Sequence, residues 1–233
     1  GDLARQAAAD GYTVGVLSSG VFVDSVMRAQ GLWSINDLEI AAFINFDPMV
    51  WVTKTDGPLA GLDLRAIVAR ARAAPDTLRV SMLPQTAYEF SIAQVERATG
   101  TVFTKVPFQG GVPGMTAMLG GHIDIAIVFF SEFRAQYEAG AARPIAIAGA
   151  NRLPNLPGVP TIDETLGTDG IQWAAWRFAA LPKNTPRDRR DWIASVVQAV
   201  VADPDAQQDF ARAGVLLDPS LASGEAVRAA AQR

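Results

Sequence analysis

The chain has 233 residues, with 20 Lys and Arg against 24 Asp and Glu, and a formal net charge of −4. It contains no cysteine and one histidine, His122, which excludes disulfides, thiolate metal sites and multi-histidine zinc sites. Hydrophobic residues make up 49% and charged residues 19%, a globular composition, and an acidic balance without a basic cluster excludes a binder of nucleic-acid phosphates.

In chain order, residues 2–9 read as an Ala-rich helix that runs into Asp10-Gly11 and a first strand over 12–17. Further strands are expected over 43–52, 78–82, 102–106, 123–129 and 144–148, each short, β-branched or aromatic, and bounded by Gly, Pro or Asp. Helices are expected between them over 21–29, 64–73, 87–98, 114–119 and 132–139, with Gly100, Gly120 and Gly140 placed to stop three of them. The alternation implies an α/β fold with parallel-rich sheets flanked by helices on both faces. The proline-rich run from Leu153 to Pro160 reads as a surface loop.

Beyond residue 180 the pattern turns helical. Thr185 is expected as an N-cap with Pro186 at the first helical position. Trp192, Ile193, Val196, Val197, Val200 and Val201 then fall on one face at helical spacing. A short helix starts at Asp203-Pro204 and ends at Gly214, and a last helix follows Ser223. The longest apolar stretch, residues 112–130, is broken by Pro113, His122 and Asp124 and does not read as a membrane span. The chain opens at Gly1-Asp2-Leu3, without Met or a charged-then-apolar leader, as a processed, trimmed or partial chain does.

In parallel α/β sheets, ligands bind beyond the carboxyl ends of the strands. Four strand-to-helix junctions offer small or polar residues there: Ser18-Ser19-Gly20, the loop from Met82 to Thr86, Phe108-Gln109-Gly110-Gly111, and Phe129-Phe130-Ser131. Unpaired N–H groups and the helix dipole at such junctions favour an anion without any cationic side chain. Each junction taken alone also fits a plain helix cap, and Gly110-Gly111 also fits a tight turn. Gly110-Gly111 is not a phosphate loop, because no Lys-Ser/Thr follows. His122 has no neighbouring nucleophile motif and reads as structural, away from the junctions. Asp124 and Glu132 are not spaced as a carboxylate pair, and Trp173 and Trp176 fit either core packing or a cleft lining.

The run from Phe108 to Asp124, Phe-Gln-Gly-Gly-Val-Pro-Gly followed by Met-Thr-Ala-Met-Leu-Gly-Gly-His-Ile-Asp, resembles the "PYKGG" region of the tripartite tricarboxylate transporter substrate-binding proteins, the Bug family. Asp10-Gly11-Tyr12-Thr13, the run from Arg152 to Thr161, Ala180-Leu181-Pro182 with Thr185-Pro186, and Asp203-Pro204 resemble further family stretches in the same order, so the likeness covers essentially the whole chain. It implies a two-lobed, type II periplasmic-binding-protein-like fold. Residues 1–52 with 172–233 would form lobe one and residues 53–171 lobe two, with the ligand cleft between them. It also implies an extracytoplasmic, periplasmic protein that captures a small carboxylate-bearing molecule and delivers it to membrane permease subunits. Such a protein is not an enzyme, needs no cofactor or metal, binds no nucleic acid and works as a monomer.

The ligand-binding positions carried over are Ser18, Ser19 and Gly20; Ser81, Met82, Leu83, Gln85, Thr86 and Ala87; Gln109, Gly110 and Gly111; and Phe130 and Ser131. Two departures stand out. Leu83 and Gln85 replace family glycines, so this loop is expected to offer side chains rather than bare backbone. The family also carries a strand-helix-strand segment before the point where this chain starts, and that segment is expected in the natural protein. A sensory ligand-binding module for a signalling receptor, or an enzyme acting on carboxylates, are the alternatives the residues leave open.

Overall fold

The structure is a computed structural model that describes residues 2–21, 35–213 and 215–217. The expected helix over 21–29, the stop at Gly214 and the helix after Ser223 fall outside the described residues wholly or nearly so. The chain divides into two compact units, Gly1–Asp47 with Ala175–Arg233, and Pro48–Ala174. No helix among the described residues is long and apolar enough to cross a membrane.

Unit one holds α1 (Asp2–Gln6), β1 (Gly15–Ser18), the first part of β2 (Leu38–Lys54), β7 (Ala174–Pro182), α7 (Arg187–Ala202), α8 (Pro204–Arg212) and β8 (Leu216–Leu217). β7 lies between β1 and β2, antiparallel to β1. Phe178 and Ala180 pack with Leu38, Ile40 and Phe43 on one side, and Ala179 and Leu181 pack with Ala41 and Ile193 on the other. That alternation marks a strand covered on both faces. Sequence reading missed β7 because Phe178-Ala179-Ala180-Leu181 is a continuous apolar run with no visible period.

Helix α7 begins differently from expectation. Pro186 is its cap, and the Thr185 hydroxyl instead donates to the Pro182 carbonyl at 2.7 Å. Its apolar stripe is wider than the surface it covers. Ile193 and Val201 are buried, whereas Trp192, Val196 and Val200 remain exposed.

Unit two is built around the second part of β2, with α2 (Leu64–Ala73), β3 (Arg79–Met82), α3 (Ala87–Thr99), β4 (Thr104–Pro107), α4 (Gly111–Leu119), β5 (Ala126–Phe129), α5 (Phe130–Glu138), β6 (Ala142–Ala148) and α6 (Ile162–Leu166). Met49, Val50, Trp51 and Val52 are wholly buried, because β5 pairs along one edge of β2 and β6 along the other. Trp51 lies in the core with Ile92, Val95, Ile125 and Ile127; its indole N–H donates to Ser91 Oγ at 3.2 Å.

The parallel-rich sheet expected from the sequence is corrected here. The ladders of β1 with β7 and of β2 with β5, β6 and β8 are antiparallel. Among the described residues the parallel contacts are the β3–β4 ladder and single bridges at Val80–Ile125 and Ile147–Thr161. The reason is β2. It is one 17-residue strand that enters unit two with no crossover helix, so it runs against the strands that helices follow.

Candidate functional site

Strands β4, β3 and β5 of unit two run in one direction, so their carboxyl ends lie together, and each is followed at once by a helix. Short contacts lock the three ends. The Phe108 N–H donates to the Met82 carbonyl at 2.8 Å, and the Ile127 N–H donates to the Ser81 hydroxyl at 2.9 Å. The Tyr88 and Phe129 rings meet edge to face at 6.0 Å. The N-termini of α3, α4 and α5 are thereby gathered at one end of the sheet. Their N–H groups and dipoles make that end favourable to an anion.

The expected site residues play different parts in this arrangement. Ser81 is 2% exposed and its hydroxyl is taken by Ile127, so its side chain ties β3 to β5. Met82 and Leu83 are half-buried against the unit-two core. Thr86 is the cap of α3: its hydroxyl donates to the Leu83 carbonyl at 2.7 Å and accepts from the Tyr88 N–H at 3.3 Å. Ala87 supplies the first helical residue. Gln85 is exposed and has φ of 58°, the left-handed region that favours glycine. Its N–H donates to Glu89 Oε2 at 2.8 Å, which secures the turn.

Gln109 is exposed, and Gly110 caps α4 with φ of 135° and ψ of 179°, a backbone shape open to glycine alone. Gly111 is buried at the first position of α4, and a Cβ there would collide with the carboxylate of Glu132. Glu132 Oε2 also accepts the Phe129 N–H at 2.9 Å, at the start of α5. The carboxylate thus lies against the start of α4 while it caps the start of α5. Sequence reading treated Glu132 only as half of an ill-spaced pair. The usable signal was its position three residues after Phe129, the spacing of a residue that reaches back to a helix start. Phe130 is buried against Phe133 and Tyr137, while Ser131 is exposed.

In unit one, Ser18 closes β1, and Gly20 with Val21 takes helical backbone. Ser19 is bound to β7 in both directions: its N–H donates to the Trp176 carbonyl at 2.8 Å, and its hydroxyl accepts the Trp176 N–H at 3.3 Å. Trp176 packs at a tilt on Phe178, whereas Trp173 belongs to unit two and stacks on the exposed Phe90 at 5.4 Å.

His122 is exposed, just past α4, at the opposite end of β5 from the helix starts. Asp124 also lies at that far end. It accepts the Arg79 N–H at 2.8 Å and pairs with the Arg79 guanidinium at 3.0 Å, which raises the Arg79 pKa above its usual value. No group of three His, Asp or Glu among the described residues is placed to hold a metal ion.

This architecture is an α/β periplasmic-binding-protein fold. It is similar to the periplasmic binding protein BugD, with a TM-score of 0.81 at 22% identity over 98% of this chain and 76% of that one. It is similar also to R. palustris Rpa4515 with adipate (TM-score 0.83, 22% identity, 99% and 76% covered) and to MatC of Rhodopseudomonas palustris with bound malate (0.81, 21%, 99% and 79%). The chain belongs to the tripartite tricarboxylate transporter receptor family, whose model matches residues 2–221. The family is one of Bug-type binding proteins rather than enzymes. A curated relative from Pseudomonas sp., encoded between tcbD and tcbE, is 25% identical over 216 residues, covering 92% of this chain; the chain spans 64% of that relative's length.

Proposed function

We propose that this chain is the solute-binding part of a periplasmic receptor that captures a small carboxylate, a dicarboxylate in particular, for the membrane permease subunits of a tripartite secondary transporter. The observation that carries the reading is the gathering of three helix N-termini at the carboxyl ends of β3, β4 and β5. Such an end binds a carboxylate through backbone N–H groups without a cationic side chain or a metal. Solved relatives of the same fold hold adipate and malate, which supports the ligand class.

On this reading Met82, Leu83, Gln85, Thr86 and Ala87 form one wall of the unit-two subsite. Gln109, Gly110 and Gly111 form its floor, and Phe130 and Ser131 a second wall. Ser81 acts through the backbone it holds. Ser18, Ser19 and Gly20 are the ligand-contacting positions of unit one, taken by itself. The protein acts as a monomer and needs no cofactor.

The test is a thermal-shift screen of adipate, malate and dicarboxylates of intermediate length, alongside neutral analogues of the same size. A ligand at a hundred times its Kd adds about 2.7 kcal/mol to stability. At least one dicarboxylate should raise Tm and its diamide should not. A screen in which no carboxylate moves Tm and neutral solutes do would overturn the reading.

A further inference from the structure

Unit one carries a polar cluster within an otherwise apolar sheet. Asn45 and Asp47 stand two apart on β2 and are 1% and 3% exposed. The Arg177 guanidinium on β7 reaches both: Nη1 lies 3.4 Å from Asn45 Oδ1 and 3.7 Å from Asp47 Oδ2. Arg177 stands directly opposite Ser18 in the antiparallel β1–β7 ladder, so the two side chains leave the sheet on the same face. Phe178, the next residue, points the other way into the core. Gly20 lies beside Ser18, where a Cβ would make only an ordinary contact with the Ser18 hydroxyl, at 3.5 Å.

The cluster has donors in surplus. Two of its buried atoms make no hydrogen bond, the donor Asn45 Nδ2 and the acceptor Asp47 Oδ2, which Arg177 Nη1 approaches only to 3.7 Å. Among the described residues the Ser18 hydroxyl and the Nε and Nη2 groups of Arg177 have no protein partner either, but they are not buried: Ser18 is half-buried and the Arg177 side chain is 37% exposed. A buried donor left unsatisfied is destabilising, and an apolar residue at position 45 would avoid that penalty. What would satisfy this set is an acceptor with two oxygens. The free edge of a guanidinium presents two parallel N–H groups at the spacing of a carboxylate. Asp47 approaches Nη1, the nitrogen that also meets Asn45, and balances the guanidinium charge.

We propose that Arg177, Ser18 and Asn45 form a carboxylate-binding subsite in unit one, with Asp47 as the positioning residue. The inference rests on the carboxylate-binding reading above and adds to it a cationic anchor that the unit-two helix N-termini lack. In the sequence the only trace is Asn45 and Asp47 interrupting the apolar run 43–52 and Arg177 inside an apolar strand.

The experiment is calorimetric titration of adipate and malate into the wild type and into Arg177→Gln, Arg177→Lys and the charge-balanced double variant Asp47→Asn/Arg177→Gln. The double variant guards against misfolding from a buried Asp47 charge that has lost the Arg177 guanidinium. Both variants that lack the cation should bind about tenfold or more weakly at unchanged near-ultraviolet dichroism, and Arg177→Lys should recover part of the loss. Wild-type affinity in either folded variant without the cation overturns the subsite while leaving the carboxylate reading intact. If both of those variants fail to fold, wild-type affinity in Arg177→Lys overturns the two-pronged contact and weakened affinity supports it. A wild type that binds neither probe, nor any carboxylate of the thermal-shift screen, removes the underlying reading and the subsite with it.

Discussion

The carboxylate of Glu132 occupies the space that a side chain at Gly111 would need, and from there it also accepts the Phe129 N–H. Gly111 is therefore required by packing, whether or not a ligand approaches it. The glycine pair that drew attention in the sequence has two separate causes: Gly110 for its backbone conformation and Gly111 for a neighbouring acid.

Replacing Gly111 by Ala should destabilise the protein by about 1–3 kcal/mol, the usual range for forcing an extra group into a packed site. Glu132→Ala alone should cost about 1 kcal/mol through the lost helix-start hydrogen bond. The double variant should be more stable than the sum predicts by at least about 0.5 kcal/mol, because removing Glu132 makes room for the new methyl. Urea unfolding of the four proteins measures the cycle, and simple additivity would contradict the contact. A bulkier Gly111→Val in the Glu132→Ala background should weaken carboxylate binding about tenfold, or 1.4 kcal/mol, if the ligand also approaches there.

Gln85 sits in a left-handed conformation that costs a non-glycine residue about 1–2 kcal/mol. Gln85→Gly should therefore leave stability unchanged or raise it by about 1 kcal/mol, since the gain exceeds the added chain entropy of glycine. Gln85→Ala should give no such relief. Gln85→Gly combined with Leu83→Gly should change the ranking of dicarboxylates in a thermal-shift screen; an unchanged ranking would remove this loop from ligand selection.

Ser81→Ala should cost about 1–3 kcal/mol, because the buried Ile127 N–H loses its acceptor. Hydrogen exchange should accelerate at Ile127 more than at Val128. An equal effect at both amides would mean that the hydroxyl does not hold β5.

Glu164 provides a pH-dependent contribution. It accepts the Thr161 N–H and pairs with Arg152 at 2.9 Å, and these contacts hold its pKa below the usual carboxylate value. A lowered folded pKa means that the stabilisation is present above the unfolded value of about 4.3 and disappears as pH falls through the folded value. Glu164→Gln should therefore be less stable than wild type at neutral pH and equal to it in strong acid. A difference that does not narrow on acidification would contradict the assignment.

Much of the local structure was legible along the chain. α2 runs from Leu64 to Ala73 as its period indicates, and Asp63 caps it by accepting the Ala66 N–H at 2.8 Å. Gly100 ends α3 in the left-handed conformation expected of a stop signal. The loop glycines also stood out, as short-range features of backbone chemistry, whereas Leu83 and Gln85 stood out only against the pattern of the family that the chain resembles.

The sequence by itself determined the helices over 64–73 and 87–98, the stop at Gly100 and most strand positions, since each depends on residues a few positions apart, and the family likeness through motifs in order along the chain. Only the tertiary structure decided strand direction, the role of Glu132 and the cluster at Arg177. The direction of β2 depends on which edges it pairs with, and β5 and β6 lie some 80 to 100 positions further along the chain. Glu132 reaches Gly111 across 21 positions because α4 and α5 follow β4 and β5, the two strands that flank β3. Arg177 meets Asn45 across 132 positions because β7 inserts between β1 and β2. Such partners are chosen by packing of the whole sheet, through burial and hydrogen-bond satisfaction, and no local pattern encodes them.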